Sequence, residues 1–136
     1  MPPFPPTKGT PVSSTIMTVD DSPSMRMLLK AALTDLGYKV LEAEDGVQAL
    51  ERLGATTAAT EPDLLITDIN MPRLDGFGLI EKVREQDRHR NLPILVLTTE
   101  SSDEKKQRAR SAGATGWIGK PFHPDKLAAA IRRVLH

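Results

Sequence analysis

The chain has 136 residues, enough for one domain that buries a two-sided sheet. Lys plus Arg and Asp plus Glu both number 18, so net charge does not favour nucleic acid or an anionic membrane as partner, and any electrostatic function must be local. The lack of cysteine excludes a disulfide framework, a thiolate nucleophile and a zinc–thiolate site; with no apolar run near membrane-span length and no secretory-signal layout, the cytoplasm is the expected compartment.

Pro2, Pro3, Pro5, Pro6 and Pro11 crowd into residues 1–13, where they withhold backbone donors and favour polyproline II or disorder. This segment reads as an arm, set apart from a domain over residues 14–136. Thr15 to Val19 reads as a first strand running into Asp20 and Asp21. Ser22 and Pro23 make a helix start, and Met25, Leu28, Leu29, Ala32, Leu33 and Leu36 recur at helical spacing until Gly37. Lys39 to Ala43 suits a short edge strand, Val47 to Leu53 a second helix, and Gly54 to Pro62 a polar loop. Leu64 to Thr67 is a third strand ending on Asp68. Asp75 and Gly76 lead into a third helix with Phe77, Ile80 and Val83 on one face. After a break at Asn91 to Pro93, Ile94 to Leu97 runs into Thr98 as a fourth strand. A fourth helix spans about Ser102 to Ala112 and stops at Gly113. Trp117 to Gly119 is a fifth strand running into Lys120, and Pro124 opens a fifth helix whose Leu127, Ile131, Val134 and Leu135 face inward.

Five strand–helix units leave no room for a second domain. The central strands are continuous apolar runs, which predicts a parallel sheet covered on both faces, with right-handed crossovers placing helices on each side. Ligands of such a sheet bind outside the carboxyl ends of its strands, so Asp20, Asp21, Asp68, Thr98 and Lys120 should converge. Three carboxylates repel one another unless a hard cation lies among them, and an oxygen-rich site that serves phosphate chemistry usually takes Mg²⁺.

Five segments carry a family resemblance: ValAspAspSer (Val19 to Ser22), ThrAspIleAsnMetProArgLeuAspGly (Thr67 to Gly76), LeuThrThrGlu (Leu97 to Glu100), GlyAlaThrGlyTrp (Gly113 to Trp117) and GlyLysProPhe (Gly119 to Phe122). In this order, and at successive strand ends, they resemble the receiver domain of two-component response regulators over about residues 14–135, above all its stand-alone chemotaxis type. The resemblance implies a (βα)5, flavodoxin-like, doubly wound parallel sheet of order 2-1-3-4-5. That order is the family's own, chemotaxis receivers being a standing example of it, and is not read from the residues. It also implies that Asp68 is the phosphoryl acceptor, in agreement with the chemistry of a carboxylate nucleophile whose charge a metal balances. Asp20 and Asp21 match the acidic pair that holds Mg²⁺, Asp21 directly and Asp20 often through water; Asp68 and the backbone carbonyl of Asn70 complete the set. As residues alone, Asp20 and Asp21 could equally cap the first helix. Thr98 matches the hydroxyl that binds a phosphoryl oxygen after transfer, Lys120 matches the cation that contacts another, and the Lys120–Pro121 peptide is cis in the family.

Departures from the family bear on output. Trp117 stands where chemotaxis receivers carry the tyrosine that turns inward with the threonine; indole is larger and offers only an N–H donor. Asn70 and Glu100 match residue types that accompany a short-lived phosphoryl group, while the bulk of Thr99 should slow entry. Lys105, Lys106, Arg108 and Arg110 follow Asp103 and Glu104 in the order a helix dipole favours. They form either a solvated face or, with strand 5 and helix 5, the family's output surface for an acidic partner segment. His89, His123 and His136 lack a spacing for metal or phosphohistidine and are expected in surface loops and at the chain end.

The resemblance therefore implies a single-domain response regulator that takes a phosphoryl group onto Asp68, with Mg²⁺, from the phosphohistidine of a sensor histidine kinase of the chemotaxis (CheA-like) type. It would signal by altered protein docking. It is a phosphoacceptor and not an enzyme, promoting only its own phosphorylation and dephosphorylation, and is expected as a cytoplasmic monomer without nucleic acid or membrane insertion. With the sequence ending at His136, directly after the fifth helix, output is expected by docking if the chain is complete. The same site would serve a phosphate sink, a relay receiver or the receiver of a longer regulator. A haloacid-dehalogenase-type phosphatase would need Asp where Asn70 stands, and a flavin or nucleotide binder a Gly-rich loop where AspAspSerPro stands.

Overall fold

Strand and helix alternate five times in the computed structural model, which describes residues 14–135. The Pro-rich arm expected over residues 1–13, and His136, lie outside the described residues. The elements are β1 (Thr15–Val19), α1 (Pro23–Asp35), β2 (Lys39–Ala43), α2 (Gly46–Gly54), β3 (Leu64–Thr67), α3 (Gly76–Glu85), β4 (Ile94–Thr98), α4 (Asp103–Ala112), β5 (Gly116–Gly119) and α5 (Pro124–Val134). All neighbouring strands pair in parallel in the order β2-β1-β3-β4-β5, as the family resemblance implies.

Alternation along each strand divides the core into two layers. Met17, Val19, Leu65, Ile94 and Val96 join Ala49, Leu53, Phe77, Ile80, Val83 and Ala109 on the face covered by α2, α3 and α4. Ile16, Leu64, Ile66, Leu95 and Leu97 join Leu29, Leu33, Leu127 and Ile131 beneath α1 and α5. Each fully buried Leu, Ile or Val contributes about 1.5–3 kcal/mol of transfer free energy, which is why β3 and β4 consist of such residues up to their terminal threonines. Four helix starts are capped by side chains: Ser22, Asp45, Asp75 and Ser102 each accept a backbone N–H three residues on, at 3.2, 2.8, 2.9 and 3.2 Å. Gly113 ends α4 with a φ of 118°, a conformation that favours glycine.

Two features go beyond what periodicity reports, and one expectation, the surface placement of His89, is corrected. Leu28 and Leu36 follow the α1 periodicity but are 57% and 43% exposed, because the covered stripe is only as wide as Leu29 and Leu33 require. A 3₁₀ turn over Asp87–His89, unforeseen in the sequence, folds His89 inward. That histidine is buried, not a surface-loop residue: its Nδ1 lies 2.7 Å from Gln86 Oε1 and its Nε2 2.8 Å from Glu61 Oε1.

Candidate functional site

Backbone pairing continues past the strands into the residues of interest. The Asp20 N–H donates to the Ala43 carbonyl at 3.1 Å, the Asp68 N–H to Val19 at 3.0 Å and the Lys120 N–H to Thr98 at 2.9 Å. Strand geometry therefore sets where each side chain leaves the sheet. Behind Asp68, the Gly76 N–H donates to the Ile69 carbonyl at 2.8 Å. A methyl at Gly76 would collide with the backbone oxygen of Asp68, so the start of α3 can sit this close only as glycine.

Lys120 lies between two carboxylates. Its Nζ is 2.7 Å from Asp20 Oδ2 and 2.6 Å from Asp68 Oδ2, and its side chain is 10% exposed. The remaining oxygens are also held: Asp68 Oδ1 accepts the Ile69 N–H at 2.6 Å, and Asp20 Oδ1 accepts the Ser22 N–H at 2.9 Å. Burial pushes the Lys120 ammonium down, but the hydrogen bonds and charges of Asp20 and Asp68 outweigh it and hold its pKa above the ordinary lysine value. Asp21 is exposed and, among the described residues, has no hydrogen-bond or ion-pair partner.

One oxygen from each of Asp20, Asp21 and Asp68 lies within 4.8 Å of the others. Three carboxylates outnumber the Lys120 ammonium that lies between two of them, and that excess together with an all-oxygen donor set fits one hard divalent cation. Thr98, fully buried at the end of β4, accepts the Glu100 N–H on its hydroxyl at 3.3 Å, which leaves its own proton free to donate.

Asn70 and Thr99 are exposed on the loops after β3 and β4, and Glu100 is half-buried. The Asn70 side chain turns to Glu100, with Nδ2 donating to Oε1 at 3.1 Å. The Lys120–Pro121 peptide is cis. Trp117 lies away from the crevice, paired in register with Val96 and facing α4, where Lys106, Ala109 and Arg110 line a pocket of about 100 Å³ beside it.

Sequence reasoning missed three contacts. Arg26 Nη1 donates to the Asp20 carbonyl at 2.6 Å, Lys105 Nζ to Glu100 Oε2 at 2.8 Å, and Arg73 to both oxygens of buried Asp45 at 2.9 and 3.0 Å. The Arg73 pair fastens the loop after Asp68 to the start of α2, with Arg73 at φ 68°. The only prior signal was Asp45 before Gly46, which reads as a helix cap and gives no hint of an arginine 28 residues away.

The response regulator receiver domain family matches residues 16–132, and the chain belongs to that family. Within it the chain is a CheY-type receiver. Chemotaxis protein CheY1 of Helicobacter pylori is 42% identical over 121 residues, which make up 88% of this chain and 95% of that protein. The structure of chemotaxis response regulator CheY4 of Vibrio cholerae aligns with a TM-score of 0.84 at 42% identity, covering 91% of this chain and 100% of that one. A receiver domain of a Pseudomonas aeruginosa sensor histidine kinase, solved with magnesium coordinated in its active-site cleft, aligns at 0.80 with 28% identity, covering 90% and 97% of the two chains. No helix among the described residues is long and apolar enough to cross a membrane.

Proposed function

We propose that this protein is a single-domain response regulator in which Asp68 accepts a phosphoryl group from the phosphohistidine of a sensor histidine kinase. The observation that carries this reading is the Asp68 carboxylate itself, fixed by the Ile69 N–H and Lys120 at a strand end within 4.8 Å of Asp20 and Asp21. In the transfer, an Asp68 oxygen bonds to phosphorus as the nitrogen–phosphorus bond breaks and its electron pair returns to the imidazole. With Oδ1 held by the backbone, Oδ2 is the attacking oxygen, and Lys120 moves from it to an oxygen of the incoming group. The Thr98 hydroxyl donates to another phosphoryl oxygen. Asp20, Asp21 and Asp68 with the Asn70 carbonyl would hold Mg²⁺, which when bound neutralises charge on the reacting oxygens.

The protein acts as a phosphoacceptor and not as an enzyme on other substrates, as a cytoplasmic monomer. Signal leaves through protein docking on α4, β5 and α5. Trp117 takes the place of the switch aromatic, and Asn70, Thr99 and Glu100 set phosphoryl lifetime. Incubation with a small acyl phosphate and Mg²⁺, followed by intact mass, tests this reading: one acid-stable, base-labile phosphoryl group should form, and none in excess chelator. Labelling that survives the chelator would defeat it.

A further inference from the structure

Three side chains from three segments meet at the exposed edge of the crevice. Asn70, two residues after Asp68, donates to one oxygen of Glu100, and Lys105 from α4 donates to the other at 2.8 Å. Both oxygens of Glu100 are thereby engaged. Lys105 is half-buried, whereas Lys106, Arg108 and Arg110 on the same helix are exposed, and Arg108 lies over the Phe77 ring. Lys105 is thus the basic residue of α4 that turns toward the chemistry. A bare carboxylate at this point would oppose that chemistry, since Asp20, Asp21 and Asp68 already outnumber Lys120 and every phosphoryl donor arrives as an anion.

We propose that Lys105 is a positioning residue for phosphoryl entry, which neutralises Glu100 and pins it, with Asn70, across the mouth of the Asp68 crevice. The inference rests on Asp68 being the acceptor. Lys105 acts through Glu100 and touches no reacting atom, so its effect is electrostatic and conditional on the Glu100 charge.

The test is the rate of Asp68 labelling by a small acyl phosphate at saturating Mg²⁺, read by intact mass at low and high ionic strength, on variants shown by thermal melting to be folded. Lys105→Gln should slow labelling by about threefold at low salt, the size expected for one unmasked surface charge. The deficit should shrink in 1 M salt, where the screening length falls to about 3 Å. Lys105→Arg should restore the parent rate. In a Glu100→Gln background, Lys105→Gln should have no further effect, because the charge it neutralises is gone. A Lys105→Gln rate equal to the parent's, or a deficit that persists in high salt or in the Glu100→Gln background, overturns the proposal while leaving the acceptor in place. A parent chain that labels at a residue other than Asp68 removes the acceptor reading, and this inference with it.

Discussion

β3 and β4, which deliver Asp68 and Thr98, are buried at every residue, whereas β5 beside them is nowhere fully buried and α4 buries Ala109 alone among its ten residues. Polar ties replace the missing apolar contacts. Arg108 lies 4.1 Å from the Phe77 ring centroid, Arg84 on α3 donates to the Gly113 carbonyl at 3.0 and 2.8 Å, and Lys105 holds Glu100. Segments with few buried contacts and solvent-facing hydrogen bonds open at the lowest free-energy cost. The crevice therefore keeps its geometry while the α4–β5 face is free to rearrange. A phosphoryl switch needs both behaviours in one small domain.

The largest expected effect breaks the crevice side of this contrast. Asp68→Asn should abolish labelling altogether: Asp20 is also held by a backbone N–H and Lys120 but is only 1% exposed against 8% for Asp68, and Asp21 has neither hold. Unchanged labelling of that variant would move the acceptor elsewhere.

Stability should divide along the same line. Ile80 is fully buried in α3, so Ile80→Ala should cost about 2–5 kcal/mol in urea unfolding. Exposed Lys106 in α4 should tolerate Ala within about 0.5 kcal/mol. Equal losses would mean that α4 is as firmly packed as α3 and would erase the contrast.

Next in size is the response to metal. Mg²⁺ at a hundred times its dissociation constant should stabilise the folded state by about 2.7 kcal/mol, seen as a rise in melting temperature. Asp21→Asn should weaken that rise while leaving the metal-free protein as stable or more so, because it removes one of three crowded carboxylates. A variant that responds to Mg²⁺ as the parent does would exclude Asp21 as a ligand.

A smaller effect concerns the loop behind Asp68. The hydrogen bonds from Arg73, the largest influence on it, hold the Asp45 carboxyl below its ordinary value near 3.8. A depressed folded-state value adds stability that is complete above the unfolded pKa and is lost as pH falls through the folded one. Asp45→Asn, which keeps the helix cap, should lower stability by about 1 kcal/mol at pH 7 and by less as the pH drops below 4. A deficit constant with pH would assign the loss to packing.

Much of this was legible in the residues, for identifiable reasons. Strand ends can be read because apolar runs stop abruptly at Asp20, Asp68, Thr98 and Lys120, and parallel topology brings those stops together. Periodicity could not exclude Leu28 and Leu36, since it reports which residues share a helix face and not how wide a stripe the neighbours cover. His89 was misplaced because a single 3₁₀ turn has no periodic signature. Contacts such as Asn70–Glu100, 30 residues apart, and Lys120–Asp20, 100 apart, follow from the fold and leave no local pattern. The ties of α4 were hidden for the same reason: its four basic residues look alike in sequence, and only the packed neighbours distinguish Lys105 and Arg108 from the rest.

The smallest expected effect probes the link between the two regions. Trp117 is the only tryptophan, half-buried against α4, with about 100 Å³ of space beside it between Lys106, Ala109 and Arg110. Its strand neighbour β4 ends in Thr98, whose carbonyl accepts the Lys120 N–H, so a displacement of Thr98 toward a phosphoryl oxygen pulls directly on the end of β5. The indole should shift as that strand end moves, changing its emission and its access to a soluble quencher. Beryllofluoride with Mg²⁺, a mimic of the bound phosphoryl group, should produce the same change, and Thr98→Ala should allow the mimic to bind without it. Constant emission and quenching in protein shown by mass to be fully phosphorylated would mean that the crevice does not reach β5. The α4 surface, held through Glu100 and Lys105, would then be the remaining route from Asp68 to a partner.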